Sequence, residues 1–351
     1  MKWKGAILSI AGAAIVAMAV AGCGTLQYYA QAVSGHLAVM AAAKPIDKSL
    51  LDQPTLAPTV RAKLARVLEI RAFAVSEMKL PDNGSYRSYA DIGRPYVVWN
   101  VFGAEEFSLS PRQSCFLFAG CIAYRGFYSE ADAKAHGEAF RAEGLDIYIY
   151  GVTAYSTLGW FDDPVLNTFI GYSEAELARI IFHELAHQVV YTKDDSIFNE
   201  SFAVAVEEEG VRRWIARFGT DAQLREYEAS RKRRTDFVAL IGQYQKLLGD
   251  AYAAEFAPEA KRAEKARLFA ALRADYETMK RETWDGFAGY DRWFAQDLNN
   301  AHLASVATYG DLVPAFRALL AKSQGDIAAF YRDVKALAAR PKVERLKAMG
   351  G

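Results

Sequence analysis

Cysteine and histidine are scarce in this chain of 351 residues, which holds three of the first and five of the second. So few cysteines exclude a disulfide-built scaffold, and Cys115 and Cys121 are spaced wrongly for a Cys-x-x-Cys metal site. An excess of charge is also missing. Lysine and arginine together number 42, as do aspartate and glutamate, so nothing in the electrostatics favours a nucleic-acid partner. There is no internal repeat and no low-complexity segment. Apolar material is what the chain does have. Hydrophobic residues make up 52% and aromatics 13%, ample for a buried core in one large domain or two smaller ones.

The N-terminus reads as an address. Lys2 and Lys4 precede the uncharged apolar run Gly5 to Val20, followed by Ala21-Gly22-Cys23. Residues 1–22 are therefore expected to be a signal peptide, with a retained membrane anchor as the other reading. The Val20-Ala21-Gly22-Cys23 ending resembles the bacterial lipobox. That resemblance implies cleavage before Cys23 and a diacylglyceryl group on its thiol, holding the protein at a membrane without a spanning helix. Cleavage would remove two basic residues, leaving 40 against 42 acidic ones. Gly24 follows the cysteine where an Asp would suggest inner-membrane retention, so the expected location is the outer membrane, facing the periplasm. In that oxidising compartment Cys115 and Cys121 invite a disulfide; two buried thiols are the alternative.

Residues 26–43 are Ala-rich and helical in composition, and Lys44 to Pro58 reads as a connector, so 23–58 forms an N-terminal piece ahead of a main domain over 59–351. Thr59 to Lys79 has the spacing of an amphipathic helix, stopped at Leu80-Pro81-Asp82-Asn83-Gly84. Tyr96 to Phe102, Cys115 to Tyr124 and Leu145 to Val152 read as strands, with a helix over Glu130 to Glu143 between two of them. A further strand is expected near Thr153 to Trp160, with Tyr155 to Trp160 as an edge on which an extended peptide could lie. Ser173 and Glu176 make a capping-box pattern, so a helix should begin there. From about 220 the chain is helical: Gln223 to Lys280 is nearly free of breakers, Pro258 aside, and further helices follow Asp311 and Gly325. Strands early and helices late predict an α+β fold.

The chemistry is concentrated in His183-Glu184-Leu185-Ala186-His187. Two histidines four apart on a helix project from one face, a separation that suits two nitrogen ligands on one zinc ion. Glu184, beside the first, can act as a base without binding the metal. A third ligand is expected from the next helix, which begins at Phe198-Asn199-Glu200-Ser201-Phe202-Ala203 after a turn at Lys193-Asp194-Asp195. Glu200 is the first choice, and Glu207, Glu208 and Glu209 compete with it. Glu207 shares a helical face with Glu200, so it could act behind the site or anchor a substrate ammonium group.

His183 to Gln188, followed by Asn199-Glu200-Ser201-Phe202-Ala203, resembles the gluzincin pattern of the alanyl-aminopeptidase type. There a His-Glu-Leu-Ala-His-Gln helix precedes an Asn-Glu-Gly-Phe-Ala helix whose Glu is the third zinc ligand. The match implies Glu200 as ligand and Asn199 as its neighbour at the substrate. The linker is shorter here, and that family's Gly-Ala-Met-Glu-Asn strand is absent. Nearly the whole mature chain also resembles a bacterial family of predicted aminopeptidase lipoproteins. The matching stretches are the lipobox, Ala119 to Phe127, Gly159 to Pro164, the zinc motif, and Asn299 to Leu303.

Together these readings predict a zincin-like peptidase: a small mixed sheet, an active-site helix, a glutamate helix and a helical C-terminal region, acting on peptides with zinc as cofactor. Glu184 would be the proton carrier, and Tyr309 or His302 the oxyanion stabiliser. The rival expectation is a non-catalytic envelope lipoprotein, either a zinc-stabilised scaffold or a peptide-holding chaperone.

Overall fold

The computed structural model describes residues 26–116, 120–306 and 312–350. Its first element is a helical run over 26–42, here α1. Strand β1 (Ala43–Pro45), the single turn α2 (Lys48–Leu51) and helix α3 (Pro58–Ser76) follow. Pro58 opens α3, where no N–H is needed, and Leu64, Val67, Ile70 and Phe73 line its buried face.

The β part consists of β2 (Ser88–Ala90), β3 (Val98–Ala104), β4 (Ser114–Phe116), β5 (Gly120–Ile122), β6 (Arg125–Phe127), β7 (Asp146–Val152) and β8 (Val165–Leu166), with helix α4 (Glu130–Ala142) ahead of β7. β3 is central, antiparallel to β6 on one side (Asn100 opposite Gly126) and to β7 on the other (Asn100 opposite Tyr150). Alternation along these strands splits their roles. Trp99, Val101 and Phe127 pack with Ala133 and Phe140 of α4, while Asn100, Gly126 and Tyr150 line a pocket on the opposite face. A second three-stranded sheet has the order β1-β2-β8, with β2 antiparallel to β1 and parallel to β8.

Helices then dominate: α5 (Glu174–His187), α6 (Ser196–Phe218), α7 (Asp221–Ala253), α8 (Pro258–Glu282), α9 (Asp291–Phe294), α10 (Asn300–Val306), α11 (Val313–Lys322), α12 (Ile327–Ala338) and α13 (Lys342–Ala348). The main core joins α3, α5 and α6 to α11 and α12. A separate apolar cluster holds α7 to α8 through Ile241, Leu248, Leu272 and Tyr276. The chain is thus α+β, with small sheets before a run of helices.

Two local expectations change. Thr153 to Trp160 is a turn-bearing loop and not a strand. The Thr157 N–H donates to Asp163 Oδ2 at 2.9 Å and the Phe161 N–H to Thr157 Oγ1 at 3.1 Å, while Leu158 and Gly159 take left-handed φ of 57° and 82°. These bonds hold residues 157–161 in a turn in place of the expected strand edge. The stretch from Cys115 is two short strands, β4 and β5, paired antiparallel, with residues 117–119 outside the described set, and a disulfide joins the directly opposed Cys115 and Cys121. The long run beyond residue 220 is helical, as expected, and divides near Pro258 into two helices. A full Thr220–Gln223 capping box starts α7, and Pro258 reopens the chain as α8.

Candidate functional site

Helix α5 carries the histidine pair. The Ser173 hydroxyl caps it by accepting the Glu176 N–H at 3.3 Å, and the Glu176 carboxylate turns to Arg179 at 2.8 Å instead of closing the capping box. Leu177, Ile181 and Leu185 face the core. His183 and His187 fall on another face, one turn apart, with ring centroids 4.8 Å apart and planes at 85°. The residue after the pair is also fixed: Gln188 accepts from Asn83 Nδ2 at 2.6 Å and donates to Ser85 Oγ at 3.3 Å. That loop is held in turn by buried Arg71, which donates to the carbonyls of Ser85, Pro81 and Asn83.

Helix α6 lies flush against α5. At Gly210 a Cβ would stand 2.5 Å from the fully buried Phe182 ring, so glycine permits the close approach. The turn between the helices is clamped from within. Asn199 Oδ1 accepts the Thr192 N–H and its Nδ2 donates to the Thr192 carbonyl, both at 2.8 Å. Asn199 is thereby buried in the interhelical turn, and it is not among the pocket-lining residues.

This packing brings Glu200 to the histidines. His183 Nε2 and His187 Nε2 are 3.2 Å apart; Glu200 Oε2 is 3.3 Å from the first, and Oε1 is 3.7 Å from the second. Three ligand atoms each about 2.0–2.1 Å from a tetrahedral zinc ion stand roughly 3.3 Å from one another. The two imidazole nitrogens stand at that spacing, each faced by a different oxygen of Glu200, and one donor atom from each of the three residues lies within 4.8 Å of the others, so the set is one that could hold such an ion. The electrostatics agree. Burial works against a charge on His183, but its bonds to Glu200 and Glu207 prevail and raise its pKa to about 10. Burial, then the neighbouring His183 charge, pushes His187 down to about 4. Glu200 on the Nε2 side and Glu207 on the Nδ1 side thus keep positive charge on His183.

Glu207, one of the competing acids, sits behind the site. It is 1% exposed. Its Oε2 is 2.9 Å from His183 Nδ1 and 3.2 Å from Arg179, and its Oε1 is 3.0 Å from Arg234. Burial alone would raise it, yet Arg179, His183 and Arg234 hold it down at about 2. Glu208 pairs with Arg317 and Glu209 with Arg212 and Arg213.

His183, Glu184, His187 and Glu200 line one pocket of about 450 Å³ against the sheet. Burial raises the Glu184 carboxyl to about 7; the His183 charge opposes this, and Glu200 and Asp163 reinforce it. The opposite wall carries Tyr124 and Tyr150, with Tyr155 and Tyr191 nearby. Tyr124 is raised by burial, and also by Tyr150, Glu200 and Glu184, so its phenol stays protonated beside both acids. These tyrosines were missed in the sequence. Only the strand alternation around residues 122–128 and 148–152 hinted that they share a face. His302 lies on α10 against Tyr148, ring centroids 4.1 Å apart, and is not among the pocket-lining residues. Tyr309 and Cys23 lie outside the described residues.

A family model described as "Putative aminopeptidase" matches residues 27–349. No curated protein and no solved structure matches the chain.

Proposed function

Since the chain belongs to the family so described, we propose that it is a zinc-dependent, zincin-type aminopeptidase anchored through Cys23 to a bacterial envelope membrane. The observation that carries this reading is the convergence of two imidazole nitrogens and one carboxylate within 4.8 Å of one another, in a pocket that also holds Glu184. His183, His187 and Glu200 would hold the zinc. When bound, the ion supplies Lewis acidity, lowering the pKa of water and polarising a carbonyl.

The remaining work falls to the protein. Glu184 takes a proton from the attacking water and passes it to the leaving amine, a transfer for which a pKa near neutrality is well matched. Glu207 accepts the Nδ1–H of His183, which fixes the ring and leaves Nε2 free to ligate. Tyr124, which lines the same pocket and stays protonated there, is our choice of donor for the developing oxyanion.

The direct test is metal analysis with hydrolysis of amino-acid arylamides. The purified chain should carry a single zinc ion and cleave the arylamide. Treatment with 1,10-phenanthroline should abolish cleavage, and added zinc should restore it. Cleavage that survives complete zinc removal would overturn the reading. Zinc present without cleavage of any peptide would favour the scaffold or holdase.

A second expectation concerns Glu207→Gln, which keeps the shape but removes the charge behind His183. Zinc affinity, titrated against a competing chelator, should fall about 10–100-fold. Wild-type affinity in that variant would show that Glu207 serves packing alone.

A further inference from the structure

Between Lys4 and Lys44 the sequence contains no Asp, Glu, Lys or Arg. Helix α1 occupies the second half of that stretch, and one of its faces is firmly held. Gln31 accepts the Tyr128 N–H at 3.1 Å and donates to the Gly126 carbonyl at 3.5 Å. Gly35 lets the helix close onto the Tyr128 ring. The Arg125 guanidinium lies 4.0 Å from the Tyr28 ring centre, and Val39 is buried.

The opposite face is apolar and open. Leu26 is 72% exposed, Val33 58% and Leu37 55%, with exposed Ala30 and Ala41 in the same row. Steps of four, three, four and four residues make a single stripe on a helix. A solvent-facing helix surface normally carries charge, and this one has none. Beside the stripe, Phe161 packs on His36 with ring centroids 4.5 Å apart, and its neighbour Trp160 is 84% exposed. Aliphatic side chains flanked by an exposed tryptophan make an apolar patch of the kind that marks an interaction site.

The preceding sequence indicates what covers it. Whether Cys23 is acylated or the run Gly5 to Val20 is kept as an anchor, hydrocarbon ends within a few residues of Leu26. We propose that the outer face of α1, with Trp160 and Phe161, docks on the lipid bilayer. The helix lies in the plane of the interface and Trp160 sits at headgroup depth. Tyr28 and Ala32, on the held face, line the pocket that contains the histidines, so docking fixes that pocket beside the membrane surface. The inference rests on the anchoring part of the proposed function and makes no use of its hydrolytic part.

The test uses the full-length chain reconstituted into vesicles of phosphatidylethanolamine and phosphatidylglycerol, with or without brominated acyl chains. Flotation reports anchoring, and tryptophan quenching by bromine reports docking. The wild-type chain should float and be quenched. With Trp3→Phe in every chain compared, Trp160→Phe should float equally and lose most of the quenching. Val33→Glu with Leu37→Glu, both on the exposed stripe, should reduce quenching several-fold at unchanged circular dichroism. Flotation with quenching unaltered by Trp160→Phe overturns docking while leaving the anchor intact, and failure to float overturns both. A dimer in detergent that these glutamates dissociate, with no bromine quenching, assigns the face to a second copy and overturns the proposal. Absence of peptidase activity changes none of these readings.

Discussion

Glu184→Gln is expected to lower kcat/KM for an amino-acid arylamide by about 10²–10⁴-fold, the range that general acid–base catalysis contributes, with zinc content unchanged. The substitution keeps the volume and most of the hydrogen-bonding capacity of the side chain and removes only the ability to accept and return a proton. The group that could hold a metal is His183, His187 and Glu200, without Glu184, so metal binding and catalysis should separate. Arylamide kinetics alongside zinc analysis check this. A variant within about tenfold of the wild type would transfer the proton-carrying role to another group, since a loss that small lies below the usual range. Loss of zinc together with activity would instead make Glu184 part of the metal site.

The largest effect on stability is expected at Arg345→Met. Arg345 on α13 is buried, and so is its partner Asp195. Its Nε and Nη2 donate to Asp195 Oδ2 at 3.0 and 2.6 Å. Its Nη1 donates to the carbonyls of Ala338 and Arg340 at 3.1 and 2.8 Å. Asp195 also caps α6, with Oδ1 accepting the Phe198 N–H at 3.4 Å. Removing the guanidinium leaves the buried carboxylate with only the exposed Lys342, 3.9 Å from Oδ1, as a charged partner, and the loss should approach that of a broken buried pair, about 3–5 kcal/mol. Urea denaturation should show this loss. The double variant Asp195→Asn, Arg345→Met should lose less than the single one, because no orphan charge remains. Equal losses would mean that the pair acts through packing alone. Glu200 stands at the second turn of the helix that Asp195 caps, so zinc affinity should weaken along with stability.

Some of the site was legible before any fold was known. The histidine spacing and the adjacent acid are local facts, readable because a helix repeats every 3.6 residues. The strand stretches Tyr96 to Phe102 and Leu145 to Val152 were equally local, marked by β-branched and aromatic runs. The loop after residue 152 misled for a physical reason. Its composition suits a strand, but the Asp163 carboxylate, several residues ahead, captures the Thr157 N–H and bends the chain. The reciprocal capping bond of Glu176 was lost in a similar way, to Arg179.

By itself the sequence determined that two imidazoles and Glu184 share one turn of helix, that an acid-bearing helix follows, and that strands precede helices. Periodicity decides which residues share a face. It does not decide which faces meet. Only the tertiary structure decided that Glu200 reaches the imidazole Nε2 atoms while Glu207 backs His183, that tyrosines from the sheet form the opposite wall, and that Arg345 secures a turn 150 residues away from it in the chain. Those outcomes depend on how closely α5 and α6 approach past Gly210 and Phe182, and on side chains that meet through space after packing.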